Sequence, residues 1–92
     1  MTKTANKQAT RELIEFLHNK NEEAKKAGIE QHARFTMATA HTLGSLIAFD
    51  LEPAGYGPML ESVLESIIEG IQSAAKFKGV KVDTTFIKVV RD

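Results

Sequence analysis

Read at the 3.6-residue period of a helix, the stretch from Ile29 to Leu51 is apolar on two opposite sides. One side carries Ile29, Ala33, Met37, Ala40, Leu43, Gly44, Ile47 and Leu51. The other carries Phe35, Ala38, Leu46 and Phe49, with Thr42 among them. A surface helix has one apolar stripe, so a helix with two is sandwiched between neighbours. A chain of 92 residues buries only about 60 to 65% of the surface its unfolded form exposes, which makes a second copy or another protein a natural source of one neighbour. The side with Phe35, Ala38, Thr42, Leu46 and Phe49 is expected to form the contact between chains. The opposite side, with the small residues Ala33, Ala40, Gly44 and Ala48, is expected to pack inside the chain.

Glycine and proline punctuate the rest. A first helix is expected from about Thr4 to Ala27, with Ala5, Ala9, Leu13, Phe16, Leu17, Ala24 and Ala27 on one face, Lys25 and Lys26 in its last turn, and Gly28 as the left-handed stop. The second helix runs from about Ile29 to Asp50. Glu52 to Pro58, with two prolines and two glycines, breaks it. A third helix is expected from Pro58 to Phe77, burying Met59, Leu60, Val63, Leu64, Ile67, Ile68, Ile71, Ala74 and Ala75. Gly79 stops it, and Val80 to Asp92, rich in Val, Thr, Ile and Phe, reads as a short β-hairpin turning near Asp83 and Thr84, or as one strand. The fold class is mainly α: a compact three-helix domain, a helical hairpin plus a third helix, with a short β tail. No repeat or linker divides residues 1–92, which read as one helical domain.

The net charge of zero hides a segregation. Residues 1–34 carry +2, residues 35–75 carry −5 with no basic residue, and residues 76–92 carry +3. An anionic middle between basic flanks suits pairing with proteins better than general attraction to nucleic acid. The chain has no cysteine, which removes disulfides and thiolate metal cages and fits a reducing cytoplasm. No apolar run approaches the roughly 20 residues of a membrane span, and the N-terminus has no signal-peptide core, so a soluble cytoplasmic protein is expected.

The chemistry-bearing residues form no recognisable reaction centre. His32 and His41, nine apart on one helix, fall on opposite sides, and His18 has only Glu15 and Glu22 in local reach. No metal site, cofactor or catalytic residue is expected, and the protein is read as a non-enzyme. Glu61, Glu65 and Glu69 form a column of like charges four apart, tolerated in water or relieved by a basic partner. Tyr56, the only tyrosine, sits between Gly55 and Gly57, where it is either displayed at a loop tip as an interface anchor or folded down on the helices. Ala24 and Gly28 have the spacing of a helix-turn-helix, but Arg34 falls where such a motif buries an aliphatic residue.

The function expected from these residues is protein–protein binding by a homo-oligomer: a small regulator, adaptor or phage-type inhibitor whose partner surface holds Tyr56, Glu61, Glu65 and Glu69. A binder of a nucleotide or metabolite, with a pocket between subunits lined by His32, Arg34, Thr39 and His41, is the alternative. Nucleic-acid binding through Lys76, Lys78, Lys81, Lys88 and Arg91 ranks third.

Overall fold

The computed structural model describes residues 3–82 and Ile87, with side chains from Lys7 onward. The chain is mainly helical: α1 (Lys3–Ala27), α2 (Ile29–Asp50), a 3-10 turn (Pro53–Gly55) and α3 (Tyr56–Phe77). Two units divide it, Met1–Ser45 and Leu46–Asp92, and each is built by its own local rules.

In the first unit, α1 is a run of strong helix formers supported along its surface. Gln8 donates to Glu12 at 3.2 Å, Lys25 pairs with Glu22 at 3.3 Å, and Lys20 pairs with Glu23 at 3.6 Å. Lys20 also places its ammonium 5.9 Å from the centre of the Phe16 ring. Each is an exposed i,i+3 or i,i+4 contact contributing about 0.2–0.5 kcal/mol, so they trim the helix rather than anchor it. Gly28 ends α1 at a φ of 119°, a backbone state that side-chain-bearing residues rarely adopt. Its N–H bonds the Lys25 carbonyl at 3.2 Å, while its own carbonyl accepts from the His32 N–H at 3.0 Å and opens α2. One residue therefore closes one helix and starts the next.

Along α2, three hydroxyls turn back onto their own helix. Thr36 donates to the His32 carbonyl at 3.3 Å, Thr39 to the Phe35 carbonyl at 2.8 Å, and Ser45 to the His41 carbonyl at 3.2 Å. This i−4 bonding satisfies their donors without any partner.

In the second unit, the Leu51 N–H extends the last turn of α2 with a 3.1 Å bond to Ile47. Glu52 is extended (φ −76°, ψ 155°), as a residue before proline prefers. Pro53 then starts the 3-10 turn, closed by Gly55 N–H to Glu52 carbonyl at 2.8 Å. The third helix begins at Tyr56 rather than Pro58. A first-turn N–H has no partner inside a helix, so Gly57 and Pro58 fit there without loss. At the other end Gly79 (φ 78°) sends its N–H to Lys76 at 3.0 Å, and Val80 sends its own to Ala75 at 2.9 Å, the paired bonds of a Schellman motif.

That motif also corrects the expected tail. Val80 to Val82 carry no strand, because the Val80 N–H is tied to the end of α3 instead of a ladder. Ile87 is helical, and residues 83–86 and 88–92, where the rest of the expected hairpin falls, lie outside the described residues.

None of the described residues is buried. The apolar side expected to be the interior of α3 is at most half covered: Val63, Leu64, Ile68 and Ala75 are half-buried, while Met59, Leu60, Ile67 and Ile71 are exposed. Helical periodicity marks which residues seek cover; it does not say whether the same chain supplies it.

Candidate interaction surfaces

Between α1 and α2, His32 Nε2 lies 2.8 Å from Asn21 Oδ1 in a partly buried side-chain hydrogen bond. Eleven residues separate the two, a rise of about 16 Å in an unbroken helix, so the Gly28 corner brings them together. His32, Phe35 and Thr39 share a side of α2 and are half-buried, and Leu17, Asn21 and Ala24 share a side of α1 and are half-buried too. Phe35 is the part-covered large apolar residue of that side of α2. Ala38 and Thr42 beside it are exposed, Leu46 is 51% exposed and Phe49 85%. The opposite side, expected to be interior, is open: Ile29 is 88% exposed and Met37 69%. Ala33, Ala40 and Gly44 are exposed with them.

The four residues of the supposed ligand pocket do not converge within a chain. His32 and Thr39, seven apart, lie on one side of α2, and Arg34 and His41, also seven apart, lie nearly opposite. Arg34 and His41 are exposed. A pocket using all four draws on two chains. The surface hollows lie elsewhere: one of about 520 Å³ is lined by Lys7, Gln8, Arg11, Glu12 and Glu15, and one of about 310 Å³ by Gln72, Lys76, Gly79, Val80, Lys81 and Val82. Each is a shallow space between side chains of consecutive turns.

Tyr56 folds down. Its hydroxyl donates to the Ala48 carbonyl at 3.4 Å, one of the last carbonyls of α2, which have no partner inside the helix. That terminus carries Asp50 and no basic residue in its last turn, so a neutral donor is welcome at its negative end. The ring remains 38% exposed, so Tyr56 caps a helix with one edge of its ring open to solvent. Glu61, Glu65 and Glu69 are exposed along α3, and Pro58, Glu61, Ser62 and Glu65 line a hollow of about 470 Å³.

His18 and His41 are exposed and His32 is engaged with Asn21. Among the described residues no three of His, Cys, Asp and Glu are grouped so as to hold a metal ion. Lys76, Lys78 and Lys81 are exposed, while Lys88 and Arg91 lie outside the described residues. No described helix is long and apolar enough to cross a membrane. Sequence reasoning missed Asn21 and the Asn21–His32 bond. The available signal was the Gly28 stop with an amide seven residues before it and an imidazole four after, which pair only if the chain turns there.

Compared with known proteins, the chain matches no family model, no curated protein and no solved structure.

Proposed function

We propose that this is a non-enzymatic interaction protein, a small regulator or adaptor of the cytoplasm that works as a homo-oligomer and binds a further protein through its helix faces. The observation that carries the reading is the absence of any buried residue among those described, set beside large apolar side chains left open on all three helices, such as Phe16, Ile29, Phe49, Leu60 and Ile67. Contiguous exposed apolar surface marks sites of association. A helix with exposed residues on both sides, as α2 has in Ile29 and Phe49, supports association on more than one side.

In this reading α2 is the element through which chains meet, at its side with Phe35, Ala38, Thr42, Leu46 and Phe49. The Tyr56 edge and the Glu61, Glu65 and Glu69 column form the partner surface, which an opposing basic protein would complement. Inhibition of a host system, as phage-encoded proteins of this size perform, is one role such a surface serves.

Sedimentation velocity of the full chain from low micromolar concentration upward tests the oligomeric part. The expected result is a species of two or more chains that dissociates on dilution. A well-folded monomer at every concentration refutes it.

A further inference from the structure

We propose that α1 and α2 exchange between two copies of this chain: the corner at Gly28 opens into one continuous helix, and α1 of each copy lies against α2 of the other. The inference rests on the oligomeric reading above and states how the Phe35 side of α2 meets its second copy.

The first observation is a matched spacing about the corner. Counting outward from Gly28, half-buried residues of α1 and α2 stand at four positions (Ala24 and His32), seven (Asn21 and Phe35) and eleven (Leu17 and Thr39). Of residues 17–39, Glu22 alone is half-buried besides these, and it reaches Lys25 on its own helix. At 3.6 residues per turn, all six fall within about 40° of the direction of Gly28 on an unbroken helix. A straight α1–α2 helix therefore carries them as a single stripe about 33 Å long.

The spacing also says what covers that stripe. Two such helices, antiparallel with Gly28 level with Gly28, set Ala24 level with His32 of the other copy, Asn21 with Phe35, and Leu17 with Thr39. The two-fold axis follows from the hinge, since only there do equal counts on the two sides meet. Each copy offers the other the side chains that it already brings together within one chain, which makes exchange a low-cost route to a dimer. The 2.8 Å Asn21–His32 bond re-forms twice between chains. Thr39 brings no free donor to the seam, because its hydroxyl is given to the Phe35 carbonyl. All of these residues lie in the first unit, Met1–Ser45.

The second observation is the hinge itself. A single residue separates α1 from α2, and its φ is 119°; short, strained hinges invite exchange. The break leaves the N–H groups of Ile29, Glu30 and Gln31 in a first turn, where no carbonyl of α2 reaches them. A continuous helix pairs them with the carbonyls of Lys25, Lys26 and Ala27. The His32 N–H already bonds the Gly28 carbonyl, the i−4 bond that a continuous helix makes at that point. Opening therefore relieves a torsion and completes the ladder, while the side-chain seam is rebuilt from the second copy. At the axis Gly28 meets Gly28, with no side chain to hold the helices apart.

The chain has no cysteine, so spin labels can be placed at will. Lys7→Cys and His41→Cys in one full-length chain, diluted into a large excess of unlabelled chain, report the distance within single chains, and sedimentation velocity gives the dimer fraction at each concentration. A distance near 51 Å, that of 34 residues of unbroken helix, is expected to grow in step with the dimer, and a shorter one to hold in the monomer. Inserting Gly-Ser-Gly after Gly28 lets the corner close without strain and is expected to weaken dimerisation about tenfold or more, whereas Gly28→Ala is expected to strengthen it. A dimer whose chains keep the short distance, or one as strong with the insertion as with Gly28→Ala, overturns the exchange and leaves the oligomeric reading in place. A wild-type chain that stays monomeric at every concentration overturns both.

Discussion

Replacing Gly28 by alanine should straighten the corner between α1 and α2 into one continuous helix. The φ of 119° at Gly28 lies beyond even the left-handed basin, which already costs an L-residue about 1–2 kcal/mol. Alanine also favours the helical state over glycine by about 1 kcal/mol, so the change tilts the balance by about 2–3 kcal/mol. No steric rescue or penalty intervenes, since a Cβ at Gly28 has nothing within 4 Å. What resists is the 2.8 Å bond from His32 to Asn21, a partly buried contact contributing about 0.5–1.5 kcal/mol. The difference favours the straight form, and pairing the change with Asn21→Ala removes the resistance. Spin labels at Lys7→Cys and His41→Cys, both exposed, read the outcome. Thirty-four residues of unbroken helix span about 51 Å, and the glycine form should give a shorter distance. A distance distribution in Gly28→Ala/Asn21→Ala identical to that of the glycine form would refute the reasoning, because it would mean that packing rather than the glycine torsion sets the corner.

The other expectations concern the surfaces. Tyr56→Phe should cost no more than about 0.5 kcal/mol in urea unfolding, since the bond it removes is long and partly exposed. Tyr56→Ala should cost about 1–2 kcal/mol by stripping the ring from the end of α2, and equal costs would show that the ring contributes nothing. Changing Glu61, Glu65 and Glu69 to Gln should raise helicity slightly, by a few tenths of a kcal/mol per relieved pair. The same change should abolish the salt dependence of binding to a basic partner, and a salt dependence that persists would place that partner elsewhere. Elemental analysis of untagged protein should find no stoichiometric transition metal; one equivalent of zinc lost on His18→Ala or His41→Ala would point to a site assembled between chains.

The boundaries of the helices were largely legible, and for a physical reason: they are set by torsions that only a few residues supply. Gly28 and Gly79 both have positive φ, and Pro53 opens the turn after α2. The start of α3 was two residues off because Pro58 sits in a first turn, where its missing N–H is no loss and so gives no signal of position. The sides of the helices were legible as patterns, but their use was not. Phe35 and Met37 are two residues apart, and one is half-buried while the other stands open. Alternation of apolar and polar residues tells which side avoids water; what covers it is a tertiary matter that the pattern does not encode. Asn21 shows the same limit, being polar, unremarkable in composition, and paired only through tertiary geometry.

The hydroxyls of Thr36, Thr39 and Ser45 have a consequence for how any assembly through α2 responds to its surroundings. By composition these residues are polar, yet their protons are already committed to their own helix, and residues 35–49 contain no Asp, Glu, Lys or Arg. A contact made there is governed by released water rather than by paired charge. It should loosen on cooling, tighten in sulfate, and show a negative heat-capacity change on forming. Ordinary salt should leave it almost untouched, whereas a partner held by the carboxylates of α3 would be shed as ionic strength rises. In the proposed assembly, temperature and salt would therefore act on different seams of the same small chain, and cold or brine would take it apart in either order.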